Sequence, residues 1–260
     1  LKSTSAGWLS KTIVFYIVTV LGAGALLLVQ PVTRIPGEVI ELVQFGPTLG
    51  VLAVLLVWRR DPTLGTGSGI PARRMADLLA TPVLIIAVTL GLFELLSWDR
   101  YSTSISHSWW LIVPAQFIGA CGEEFGWRCY LQPLLESRFG TLGAALTVGL
   151  LWGVWHIQIF ALGPVYAAAF LISTVAMSLI LGLALRTAPT LHRLLLAGTF
   201  HLLINLGWLA LLDQDSGTAQ TGPMVLYSVA TALLATIWIL RSRAVVTSPP
   251  EAATTTADLR

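Results

Sequence analysis

Eight apolar runs of spanning length decide what this chain can fold into. They cover residues 12–30, 38–58, 78–97, 109–135, 141–161, 164–185, 193–212 and 222–240. A helix needs about 20 apolar residues to cross a bilayer core, whereas a spanning strand needs about 10 in alternation. These runs have the helical length. Only 11% of the 260 residues are charged, against about 25% in ordinary soluble domains. So few charges cannot cover the surface of a soluble fold this large. The expectation is an all-α, polytopic membrane protein with eight transmembrane helices in a lipid bilayer.

The breaks between runs carry turn-forming residues, as in "PVTRIPGE", "RRDPTLGTGSGIPARR" and "DQDSGTAQTGP". Basic residues then fix a direction, because cytoplasmic loops hold the excess. With the N-terminus inside, Lys2, Lys11, Arg59, Arg60, Arg73, Arg74, Arg138, Arg186, Arg193, Arg241, Arg243 and Arg260 share one side, and only Arg34 and Arg100 face the other. Both termini are expected to be cytoplasmic, with the plasma membrane as location if the source is bacterial. Residues 1–243 read as one transmembrane domain, and the Pro/Thr/Ala-rich stretch 244–260 as a disordered cytoplasmic tail. The first run follows Lys2 and Lys11 as in a signal peptide, but it is too long and lacks a small-x-small cleavage site, so it is read as a span. Cys121 and Cys129 lie eight residues apart, roughly 12 Å along a helix, and are expected as free thiols. No zinc-finger spacing occurs, and no nucleic-acid partner is expected.

The informative residues are the ionisable ones inside the runs, each costing about 2.5–3.5 kcal/mol at mid-membrane depth by insertion scales. They are Glu123, Glu124 and Arg128 in "IGACGEEFGWRCYLQ", His156 in the fifth run, and His201 with Asn205 in the seventh. Counted from the cytoplasmic edge, Glu123 and His156 lie roughly 22 Å deep and Asn205 near 18 Å. Three helices therefore bring polar groups to one level, where they could share a pocket. Glu124 and Arg128 are spaced i,i+4, acid first, which favours a pair along one face. Glu123 points about 100° away and is free to face something else. His201 and Asn205 are also i,i+4. Trp152, one turn before His156, could pack its ring edge. Gly122 with Gly126, and Gly149 with Gly153, offer small surfaces for close helix approach. Glu38, Glu41 and Glu94 fall near run ends, and His107 and His192 in loops, where solvated side chains are expected.

Read together, "EEFGWR" (123–128), "WGVWH" (152–156) and "HLLIN" (201–205) resemble the three motifs of the CPBP family. These are the CAAX proteases and bacteriocin-processing enzymes, or type II CAAX prenyl endopeptidases, and the resemblance covers roughly residues 75–210. Two positions depart from the pattern: Trp152 stands where the family usually has Phe, and Cys129 where glycine is common. The resemblance implies an intramembrane endopeptidase in which Glu123 activates a water. His156, His201 and Asn205 would then hold that water and stabilise the oxyanion, with Glu124, Arg128 and Trp152 in support. Peptides or membrane-protein segments, prenylated or not, are the implied substrates.

A carboxylate in an apolar site is a competent base near neutral pH, and donors act strongly where water is scarce. Glu123, His156 and His201 could instead hold a divalent metal such as Zn²⁺, although no HExxH motif is present. Serine and aspartyl intramembrane chemistries lack their motifs. Two other classes stay open: a non-proteolytic binding or immunity scaffold of the same fold, and a proton-relaying transporter. The transporter reading is opposed by the missing inverted repeat.

Overall fold

A computed structural model describes residues 7–59, 67–96, 105–211 and 221–247. Of these residues 88% are helical, and no strand occurs among them. In chain order the helices are α1 (Gly7–Thr33), α2 (Gly46–Val57, entered through a 3-10 turn at Leu42–Phe45), α3 (Ala72–Leu95) and α4 (Trp109–Glu124). A π-helical segment, Phe125–Leu131, leads from α4 into α5 (Gln132–Trp155). A 3-10 turn at Ile157–Leu162 then precedes α6 (Pro164–Leu185), α7 (Thr190–Leu211) and α8 (Thr221–Thr247).

Five of these stretches are long and apolar enough to cross a membrane: Gly7–Thr33, Ala72–Leu95, Trp109–Trp155, Pro164–Leu185 and Thr221–Arg243. The chain is a multi-pass membrane protein. The difference from eight runs has local causes. Trp109–Trp155 is 47 residues long but breaks at Gly140, whose φ of 66° and ψ of 174° are non-helical. That backbone region is essentially open to glycine alone, and the break falls between the fourth and fifth runs. The second run loses its first residues to a loop, leaving the shorter apolar helix Leu42–Val57. In α7 the polar His192, Arg193, His201 and Asn205 dilute the apolar sequence. The tail drawn from residue 244 begins inside α8, which continues to Thr247; the remainder lies outside the described residues.

Helix α6 occupies the centre, with 67% of its spanning window buried, whereas α1 buries 17% of its own. Leu21, Leu28 and Val32 of α1 are exposed, as a lipid-facing helix requires. Close packing relies on glycine, as the spacing anticipated. A Cβ added at Gly149 would lie 2.6 Å from Val175 Cα, and one at Gly126 would lie 2.4 Å from Pro47 Cβ. Thus α5 seats on α6, and the π segment seats on α2. These two seatings bring Glu123, Glu124 and Arg128 between the flanking helices.

Candidate active site

The last turn of α4 and the π segment carry Glu123, Glu124 and Arg128, all buried. Glu124 has no exposed surface, so both of its oxygens need donors. Arg128 Nε supplies one at 2.9 Å from Oε2, and His201 Nδ1 from α7 the other at 2.9 Å from Oε1. The expected i,i+4 pair is present. His201 therefore gives the fully buried Glu124 carboxylate its second donor. Arg128 is fixed further by Nη1 donating to Ser178 Oγ at 2.7 Å, and that hydroxyl donates to Ala145 O at 2.7 Å. Ser178 was not legible as a site residue; a small hydroxyl on a buried helix face gives only a weak signal.

Glu123 turns the other way. Its Oε2 accepts the Trp152 indole N–H at 3.0 Å, a contact beyond the ring packing expected of that residue. The Trp152 ring also lies under the Arg128 guanidinium, 4.9 Å from ring centroid to Cζ, and edge-on to His201 at 5.3 Å.

His156 does not sit within a helix. Helix α5 ends at Trp155, and His156 follows with φ −77° and ψ 62°. Its backbone N–H bonds Gly153 O at 3.2 Å, and its Nδ1 lies 2.9 Å from Trp152 O. The ring therefore satisfies one of the carbonyls left open at a helix end. A carbonyl only accepts, so Nδ1 bears the proton and Nε2 is left as the acceptor.

Asn205 donates through Nδ2 to Gln116 Oε1 at 3.4 Å, and Gln116 Nε2 donates to the Glu38 carbonyl at 3.1 Å. Gln116 was missed because a lone glutamine in an apolar run gives no spacing signal. Glu38 and Glu41, read as solvated run-end residues, line the same cavity as the site. The Glu38 carboxylate receives His107 and the Ser106 N–H.

Glu123, Trp152, His156, His201 and Asn205 all line one cavity of about 400 Å³. Tyr166, Phe170, Met224 and Tyr227 form apolar wall, and Gly37, Glu38 and Glu41 supply further lining. Cys121 and Cys129 are free thiols, as their spacing implied. For the metal alternative, Glu123, His156 and His201 would have to surround one ion. Among the described residues no three His, Cys, Asp or Glu side chains are grouped to hold a metal. His201 turns Nδ1 to Glu124, and Glu123 is held by Trp152.

Fold and site together define a polytopic helical membrane protein with carboxylates, histidines and amides buried among its helices. Residues 105–207 match the family model described as type II CAAX prenyl endopeptidase Rce1-like. The segment containing all three motifs is thus Rce1-like, the resemblance its motifs carried. Lysostaphin resistance protein A of Staphylococcus aureus, for instance in strains Newman and COL, is 24% identical over 250 residues. That alignment covers 92% of this chain and 58% of the relative, so the chain spans less than two thirds of these relatives.

Proposed function

We propose that the protein is an intramembrane endopeptidase that hydrolyses a peptide bond with a water activated by Glu123. The observation that carries this reading is the shared cavity: Glu123, His156, His201 and Asn205, from three separated sequence motifs, line it together. The Rce1-like match over the same segment supports it.

The scissile carbonyl enters beside Glu123, whose unoccupied oxygen takes a proton from water as that water attacks. His156 Nε2 accepts the water's other hydrogen and orients it. The oxyanion is received by His201 Nε2–H, whose charge the Glu124 carboxylate balances across the ring, and by the second amide hydrogen of Asn205. Collapse of the tetrahedral intermediate breaks the C–N bond, and Glu123 returns its proton to the leaving amine. Glu124 and Arg128 hold the scaffold beneath. The excess of basic residues supports eight membrane crossings, counting α2 and α7, with both termini cytoplasmic. The substrate is a peptide or membrane-protein segment reaching the cavity from the bilayer.

The test compares new protein termini in membranes of cells carrying the native chain or Glu123→Ala at matched expression. Termini that vanish in the variant support the reading and name the substrate. Identical termini, with the variant folded, overturn it. A second reading, a binding scaffold that confers protection without turnover, is favoured by the name of the staphylococcal relatives, which describes resistance. Under that reading, Glu123→Ala leaves any protective phenotype intact.

A further inference from the structure

The indole of Trp152 is placed where it controls the orientation of Glu123. Its N–H lies 3.0 Å from Glu123 Oε2, and both residues are buried, each 3% exposed. A hydrogen bond to one oxygen of a carboxylate fixes the group's rotation and leaves the other oxygen free. The indole is itself held from two sides. Arg128 Cζ sits 4.9 Å from the ring centroid, and His201 packs against the ring in a T-shaped pair with centroids 5.3 Å apart. Arg128 is in turn tied to Glu124 and Ser178. Trp152 therefore links the salt-bridged scaffold to the carboxylate that has no ion-pair partner among the described residues.

Ring packing alone does not account for this contact. Trp127, on the neighbouring π segment, buries its Nε1 with no hydrogen-bond partner among the described residues. The fold thus tolerates an unpaired indole N–H nearby, and the one on Trp152 is nevertheless directed at Glu123. Phenylalanine at this position would fill much of the same space without donating.

We infer that Trp152 is a positioning residue whose N–H holds one oxygen of Glu123 so that the other faces the cavity. This rests on the reading of Glu123 as general base. The decisive replacement is Trp152 by benzothienylalanine, which keeps the bicyclic shape and substitutes sulfur for the N–H; Trp152→Phe is its genetic counterpart. Two readouts apply to the full chain in proteoliposomes or micelles. One is hydrolysis of the best-cleaved member of an internally quenched octapeptide library. The other is the indole ¹⁵N–H resonance of Trp152, assigned by its loss in Trp152→Phe.

Loss of the donor is expected to lower kcat roughly 10- to 100-fold, as misplacement of a catalytic group does, with KM retained. The Trp152 indole resonance is expected to move in Glu123→Gln. A benzothienylalanine protein with native kcat overturns the inference, because a packing role requires shape alone. A resonance that ignores Glu123→Gln overturns it as well. Failure of the native protein to cut any library peptide would count against the peptidase reading, while the indole resonance would still decide whether Trp152 holds Glu123.

Discussion

At the scale of single residues, the two adjacent glutamates have different work. Glu124 is saturated by Arg128 and His201, whereas Glu123 keeps an oxygen for the cavity. Glu123→Gln is expected to lower hydrolysis by about 10²–10⁴-fold, the contribution of a general base, with helical circular dichroism and melting temperature unchanged. Glu124→Ala is expected to act on stability instead. It strands Arg128 in a buried site and costs about 3–5 kcal/mol, read as a lowered unfolding midpoint in detergent. The distinction between the glutamates was legible in sequence, because i,i+4 spacing assigned Arg128 to one of them. The partner of His201 was not, since it depends on how α7 docks. The N–H contact of Trp152 was equally hidden: side-chain identity shows that an indole can donate, and only packing shows to what.

At the scale of elements, the site depends on where helices break and how closely they approach. The apolar runs anticipated α6 and α7 within three residues at each end, and missed at least one end of every other helix by five residues or more. They could not anticipate that His156 caps the end of α5, nor that the backbone loosens into a π segment after Glu124, because apolar periodicity is blind to both. Gly140, in its glycine-only conformation, separates the two halves of a 47-residue helical stretch. Gly140→Ala is expected to cost about 1–3 kcal/mol, measured by chemical unfolding. Gly149→Ala would push a methyl to 2.6 Å from the α6 backbone. The expected loss is about 1–3 kcal/mol, typical of overpacking, together with weakened activity. Activity follows because Ser178, a neighbour of the same glycine, holds Arg128.

At the scale of the whole molecule, composition sufficed to place the chain in a membrane, because so few charges cannot wet a soluble surface of this size. It could not place Glu38 and Glu41 on the site cavity, since a residue at a run end looks the same whether it faces bulk water or a pocket. The His107 hydrogen bond, with the Ser106 N–H adding to it, holds the Glu38 carboxyl below its ordinary range. A carboxyl lowered in the folded state contributes stability above its unfolded value and loses it as pH falls through its folded value. Hydrogen-exchange protection of 105–108 is therefore expected to stay level from about pH 7 to 5 and to fall below about pH 4, while Glu38→Gln removes that dependence. The π segment has one last consequence. A π turn accommodates a residue more than the α turn it replaces, so the chain carries a surplus residue in the stretch that follows its two glutamates. Removing one residue there would let the helix close into ordinary α bonding. The product would be a better-knit membrane protein in which the helix carrying Trp152 was rotated by about 100° relative to Glu123, and regularity would have been gained at the expense of the pocket.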